Sequence, residues 1–119
     1  MGLSSETLLW SFTESNLRDG VEDEKGLHKR TASSRAEKFY RYEMRLGSNS
    51  VSVTSIQFEI TETREVPGWT GRFCTTGKAF IEYYDSKGLS YSRMTSEFEV
   101  LTERKDGNRI EIVDFTRKN

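Results

Sequence analysis

Hydrophobic side chains recur at every second position through most of the chain after residue 40, in runs divided by clusters of glycine, serine, asparagine and aspartate. Period-two alternation places one set of side chains on each face of a pleated strand, whereas a helix must bury a stripe repeating every 3.6 residues. The runs are Tyr40, Tyr42, Met44 and Leu46; Val51 and Val53, then Ile56, Phe58 and Ile60; Arg72 to Tyr84; Leu89 to Thr102; and Ile110, Ile112, Val113 and Phe115. Gly47-Ser48-Asn49-Ser50, Val66-Pro67-Gly68, Asp85-Ser86-Lys87-Gly88 and Lys105-Asp106-Gly107-Asn108 separate them as turns. This spacing predicts an antiparallel meander of about five strands across residues 36–116.

The apolar phase slips by one residue between Val53 and Ile56, and again between Tyr91 and Met94, as expected where a β-bulge inserts one residue. Strands of about 12–14 residues are long against a mode near 5–6, and sheets built from them coil rather than lie flat. Such a sheet wraps a helix or closes toward a small barrel. Small residues at Thr75, Gly77, Ala79 and Ser96 leave room on its concave face for a helix, a ligand or a partner.

Residues 5–18 carry Leu8, Leu9 and Phe12 on one helical face, with Ser4 or Ser5 as cap and Gly20 as stop, and a short helix is expected there. Leu8, Trp10 and Phe12 also alternate as in a strand. From Asp19 to Ser34 only Val21 and Leu27 are large and apolar, too little to offset an ordering cost of roughly 1–2 kcal/mol per residue, so a mobile loop is expected. The fold class is therefore α+β, mainly β, as a single domain over residues 1–119.

Apolar residues make up 34% of the chain and charged ones 31%, with a formal net charge of −1. A balance so close to neutral argues against a partner held by bulk electrostatics, but not against a local patch. The lone Cys74 excludes an internal disulfide. The apolar stretch at Leu8 to Phe12 is too short for a secretory signal, and Glu6 stands where a myristoylation site wants Ser or Thr, so a cytoplasmic or nuclear location without a membrane anchor is expected.

No hydrolase elbow, phosphate loop, dinucleotide fingerprint, zinc spacing or calcium loop occurs, and no cofactor or metal is expected. His28, the only histidine, falls in the expected loop, where nothing fixes it for proton transfer. Cys74 lies on a strand without a flanking cation to lower its pKa and reads as a small hydrophobe. Asp114 faces inward in register with Ile110 and Ile112, where burial would suit it to acid or base chemistry; in register with Val113 and Phe115 it faces water, and this second register is favoured.

Trp69, in Pro67-Gly68-Trp69-Thr70-Gly71, stands at a loop tip as a contact candidate or as a cap on the end of the sheet. Lys29, Arg30, Arg35, Lys38, Arg41 and Arg45 surround Phe39, Tyr40 and Tyr42, a composition suited to single-stranded RNA through phosphate contact and base stacking. The plainer account makes the tyrosines core and the cations a solvated face. Arg30-Thr31-Ala32-Ser33 also matches a basophilic kinase site, a short pattern that mostly occurs by chance.

The stretch from Gly77-Lys78-Ala79-Phe80-Ile81 through Asp106-Gly107 to Ile110-Glu111-Ile112 resembles the final hairpins of cystatin-like and NTF2-like folds. That resemblance implies a curved sheet and names no functional residue. The leading functional expectation is a non-enzymatic protein-interaction module, self-associating as a homodimer through the sheet face that bears Phe80 and Tyr84, with Tyr40 and Tyr42 as further contact residues. The alternatives are a small-molecule pocket or an NTF2-like isomerase or lyase using Asp114, and RNA binding through residues 29–45.

Overall fold

The computed structural model describes residues 23–46, 51–106 and 109–118. They form one helix, α1 (Glu24–Leu46), followed by strands β1 (Ser52–Glu65), β2 (Arg72–Tyr84), β3 (Tyr91–Arg104) and β4 (Ile110–Lys118). The strands pair antiparallel in the order β1-β2-β3-β4. The sheet stays open, with β1 and β4 as its edges, so the barrel alternative is excluded and the fold is α+β, mainly β. The expected helix at residues 5–18 and the turn at 47–50 lie outside the described residues.

The largest departure from the sequence reading is α1. Its 23 residues replace both the expected loop from residue 24 onward and the expected first strand at Tyr40 to Leu46, which reduces the sheet from about five strands to four. Asp23 caps the helix: its Oδ1 accepts from the Gly26 N–H at 2.7 Å, and its carbonyl accepts the first helical bond, from Leu27. The buried stripe is small and partly polar, with His28, Ala32, Ala36 and Tyr40 succeeding one another every four residues and Ser33 beside them. A count of large apolar groups misses such a stripe, because alanine buries a helix by letting its backbone approach the sheet. Lysine, arginine, glutamate and alanine elsewhere in the segment are strong helix formers.

Directly opposed residues in an antiparallel pair share a face. The pairings Phe73↔Thr102, Thr75↔Val100, Gly77↔Phe98, Ala79↔Ser96 and Ile81↔Met94 therefore define one face of the central strands. Of these, all but the half-buried Met94 are buried, and Ile56 and Phe58 of β1 join them under the helix. The space left by Thr75, Gly77, Ala79 and Ser96 is thus filled by α1. A Cβ on Gly77 would stand 2.6 Å from the Glu59 carbonyl oxygen and 3.2 Å from the Phe98 ring, so the strands can approach there only around glycine.

Bulges set which side chains reach this face. One register shift falls between Val53 and Ser55, as the apolar phase of β1 predicts, and a second between Ile60 and Glu62. The slip expected between Tyr91 and Met94 is absent: β3 pairs regularly with β2 throughout, and the two residues lie on opposite faces. The shift that does occur beside β3 lies in β4, where Leu101 opposes Asp114 but Thr102 opposes Ile112. The hairpin after β2 follows its sequence, with Gly88 at φ 73° and the Asp85 carboxylate accepting from the Lys87 and Leu89 N–H groups.

Two buried polar contacts help fix α1 on the sheet. The Tyr40 hydroxyl donates to Ser96 Oγ at 2.9 Å. His28, expected in a mobile loop, is fully buried, stacked on Phe73 at 4.1 Å between ring centroids, with Nδ1 2.5 Å from Thr102 Oγ1. Burial lowers the His28 pKa below 6.5, opposed by the Glu24 carboxylate 3.7 Å from Nε2 and by Glu65, and assisted by Arg104. A folded pKa below the unfolded value makes stability constant above about pH 6.5 and lost as pH falls through the interval beneath it. The urea midpoint should therefore hold between pH 8 and 7 and decline toward pH 5.5. In His28→Phe, which removes the only histidine, the decline across that interval should largely disappear.

Candidate functional site

The outer face of the sheet carries the side chains that alternate with the core. Its rows run Arg64, Cys74, Leu101 and Asp114; Glu59, Lys78, Glu97 and Lys118; and Gln57, Phe80 and Thr95. Glutamate and lysine alternate across the second of these rows, so neighbouring strands neutralise one another. Apolar groups are confined to two places. Phe80 is half-buried beside a cleft of about 290 Å³, with Tyr84 and Tyr91 exposed beyond it and 5.4 Å apart. Cys74 and Leu101 lie toward the other end. Phe80 and Tyr84 thus sit on the face away from the helix, as their alternation with Ala79 and Ile81 predicts.

Asp114 is exposed on this face, and its carboxylate accepts from the Thr116 hydroxyl at 3.4 Å. The bulge around Val113 explains why two registers fit the sequence: Ile112 and Phe115 both reach the helix side while Asp114 between them points to water. That placement gives Asp114 no low-dielectric surroundings for acid or base chemistry. Trp69 is 50% exposed in the β1–β2 connection, yet it is held from two sides. Its indole N–H donates to Glu103 Oε2 at 3.2 Å, and the Arg72 guanidinium lies 3.7 Å from its ring centroid. Trp69 caps the end of the sheet and keeps an exposed edge.

The basic segment lies on α1 instead of a strand, and the helix sorts its aromatics. Tyr40 is buried and Phe39 packs on Phe115 at 4.4 Å, so Tyr40 is removed from the binding candidates. Tyr42 alone projects, 57% exposed. At 100° per residue, Arg30, Lys38, Arg41 and Arg45 fall on the side opposite Ala32, Ala36 and Tyr40, with Arg35 at its margin. Lys29 belongs to the flank nearer the sheet and is half-buried.

The acids of the helix are drawn elsewhere. Glu24 pairs with Arg104 at 3.1 Å and Glu43 with Arg117, both arginines supplied by the sheet. Only Glu37 stands among the outward cations, paired with Arg41 at 3.1 Å across one turn. An exposed pair of that kind contributes roughly 0.3–0.5 kcal/mol, too little to keep Arg41 from another anion. Two clefts flank the stripe and share Lys38. One, of about 520 Å³, is lined by Lys38, Arg41, Tyr42, Arg45, Val51 and Val53. The other, of about 370 Å³, adds Arg30, Ser34 and Arg35. Sequence reasoning named these cations but missed the valine wall, Val51 just before β1 and Val53 within it, which adjoins the cations only because residues 38–46 are helical.

Among the described residues no three His, Cys, Asp or Glu side chains converge as a metal site, and no helix is long and apolar enough to cross a membrane. Comparison with family models, with curated proteins and with solved structures returns no match.

Cys74 is buried, and its thiol donates to Glu99 Oε2 at 3.2 Å. Burial, with Glu99 adding to it, pushes the thiol pKa up to about 11. The protonated thiol is a poor nucleophile. Iodoacetamide at pH 7.5 should label Cys74 very slowly in the native protein and rapidly in urea, and Cys74→Ala should fold with a modest loss of packing. Fast native labelling would contradict this environment.

Proposed function

We propose that this protein is a non-enzymatic binding module whose contact surface is the outward face of α1 and whose partner is a polyanion. The observation that carries the reading is the segregation of charge on the helix: Lys38, Arg41 and Arg45 are exposed on its outward side, with Arg35 exposed at the margin and Arg30 half-buried beyond them, while Glu24 and Glu43 are engaged by arginines of the sheet. A chain of net charge −1 thereby presents a concentrated cationic ridge, which attracts polyanions by counterion release whatever the overall charge. The full-length protein should be retained on heparin at low salt and elute as salt rises. Lys38→Glu combined with Arg45→Glu should elute at distinctly lower salt while the circular dichroism spectrum is unchanged. Retention unaffected by this double reversal would defeat the reading.

A second reading, self-association through the outer sheet face, is favoured by one feature of that face. A twofold axis parallel to the strands would set Glu59 of one copy against Lys118 of another, and Lys78 against Glu97, because the row alternates in sign. Phe80, Tyr84 and Tyr91 would supply the apolar part of the contact. Sedimentation velocity at tens of micromolar should then show a dimer, and Tyr84→Glu a folded monomer. A wild-type monomer under those conditions would rule out this second contact and leave the helix face unaffected.

A further inference from the structure

We infer that the polyanion is single-stranded nucleic acid, and that the cleft between the C-terminal half of α1 and the start of β1 holds one of its bases against Tyr42. The inference rests on the polyanion reading above and adds the identity of the ligand. Three features of the site select it. The cleft has about 520 Å³, room for a base and its sugar, and its wall combines one aromatic face with two aliphatic side chains, Val51 and Val53. Lys38, Arg41 and Arg45 also line it and supply cations for the phosphates that flank a bound base. The Arg45 guanidinium lies 5.9 Å from the Tyr42 ring centroid, so a base entering beside the ring meets both a π face and a cation.

The ridge continues past the cleft. Arg30 and Arg45 are fifteen residues apart, about 22 Å along the helix axis at 1.5 Å per residue. The second cleft, with Arg30, Ser34 and Arg35, shares Lys38 with the first, so a strand leaving the Tyr42 cleft past Lys38 meets further cations toward the N-terminal half of α1. A bilayer surface fits less well. Peripheral membrane helices pair their cations with a row of inserted apolar side chains, and along α1 the large exposed apolar groups are Tyr42 and Leu46, both in its last two turns, with none beside Arg30 or Arg35. A duplex fits less well too, since its bases are stacked inside and cannot reach a side cleft without being unpaired.

The test is fluorescence anisotropy of the full-length protein with three probes: a labelled 12-nucleotide single-stranded oligouridylate, a 12-base-pair duplex, and vesicles containing one quarter phosphatidylserine. The oligouridylate should bind most tightly, with a salt dependence that weakens when Lys38 is replaced by Glu. Tyr42→Ala should reduce its affinity roughly five- to a hundredfold while Tyr42→Phe, which keeps the ring, restores it. Tyr42 is exposed, so neither variant should disturb the fold, and circular dichroism checks this. Equal binding of single strand and duplex with no effect of Tyr42→Ala would overturn the stacked-base inference and leave the polyanion reading standing. Binding of the vesicles alone would do the same. Failure of all three probes, together with failure to retain the protein on heparin, would overturn both.

Discussion

The seating of α1 on the sheet governs everything else that can be said of this molecule. Ala32 and Ala36 bring the helix close enough to cover Phe58, Phe98 and Val100, and buried hydrogen-bonding pairs join helix and sheet at two points along that contact. His28 meets Thr102 toward one end, and Tyr40 meets Ser96 toward the other. Twelve residues separate these anchors, about 18 Å of helix. Two directional contacts so far apart fix the rotation of the helix about its own axis, which an alanine stripe alone leaves loosely defined. A buried polar group without its partner is costly, so any rotation that broke one anchor would be penalised.

Fixing that rotation also fixes the charge pattern. The side facing the sheet margins holds Glu24 and Glu43 within reach of Arg104 and Arg117, and the opposite side is left with the cations. The sheet shows the contrary arrangement. Its outer face alternates Glu59, Lys78, Glu97 and Lys118 across the strands and cancels its own field. The two exposed surfaces therefore differ in kind, one alternating in sign across the strands and the other predominantly cationic. Formal charge balance over the whole chain conceals this difference completely.

The bulges serve the same geometry from the sheet side. The irregularity in β1 after Val53 lets Ile56 and Phe58 point under the helix although the strand begins in the other phase. The irregularity around Val113 sends Ile112 and Phe115 inward together and leaves Asp114 in water. Gly77 lies opposite the second shift in β1, where a side chain would meet the Glu59 carbonyl. A regular sheet of these sequences would expose part of its core and bury a carboxylate.

The sequence by itself determined the four strands of the described residues, their antiparallel order, the first bulge of β1 and the hairpin at Asp85–Gly88. Each depends on local signals: alternation, a phase slip, or a glycine where φ must be positive. It also determined that Phe80 and Tyr84 share the face opposite Ala79 and Ile81, because pleating leaves no other arrangement. Only the tertiary structure decided that residues 24–46 are helical. Tyr40, Tyr42, Met44 and Leu46 alternate as a strand would, and the competing helical stripe of His28, Ala32, Ala36 and Tyr40 contains one large apolar ring among small and polar groups. Those small groups bury effectively only against a sheet face with Gly77, Ala79 and Ser96 on it, and His28 enters the core only because Thr102 and Phe73 await it from strands more than forty residues away. The Tyr42 cleft was hidden with the helix: its lining falls within residues 38–53, but Lys38, Arg41, Tyr42 and Arg45 join Val51 and Val53 around one cleft only once the first part of that stretch is a helix and not a strand.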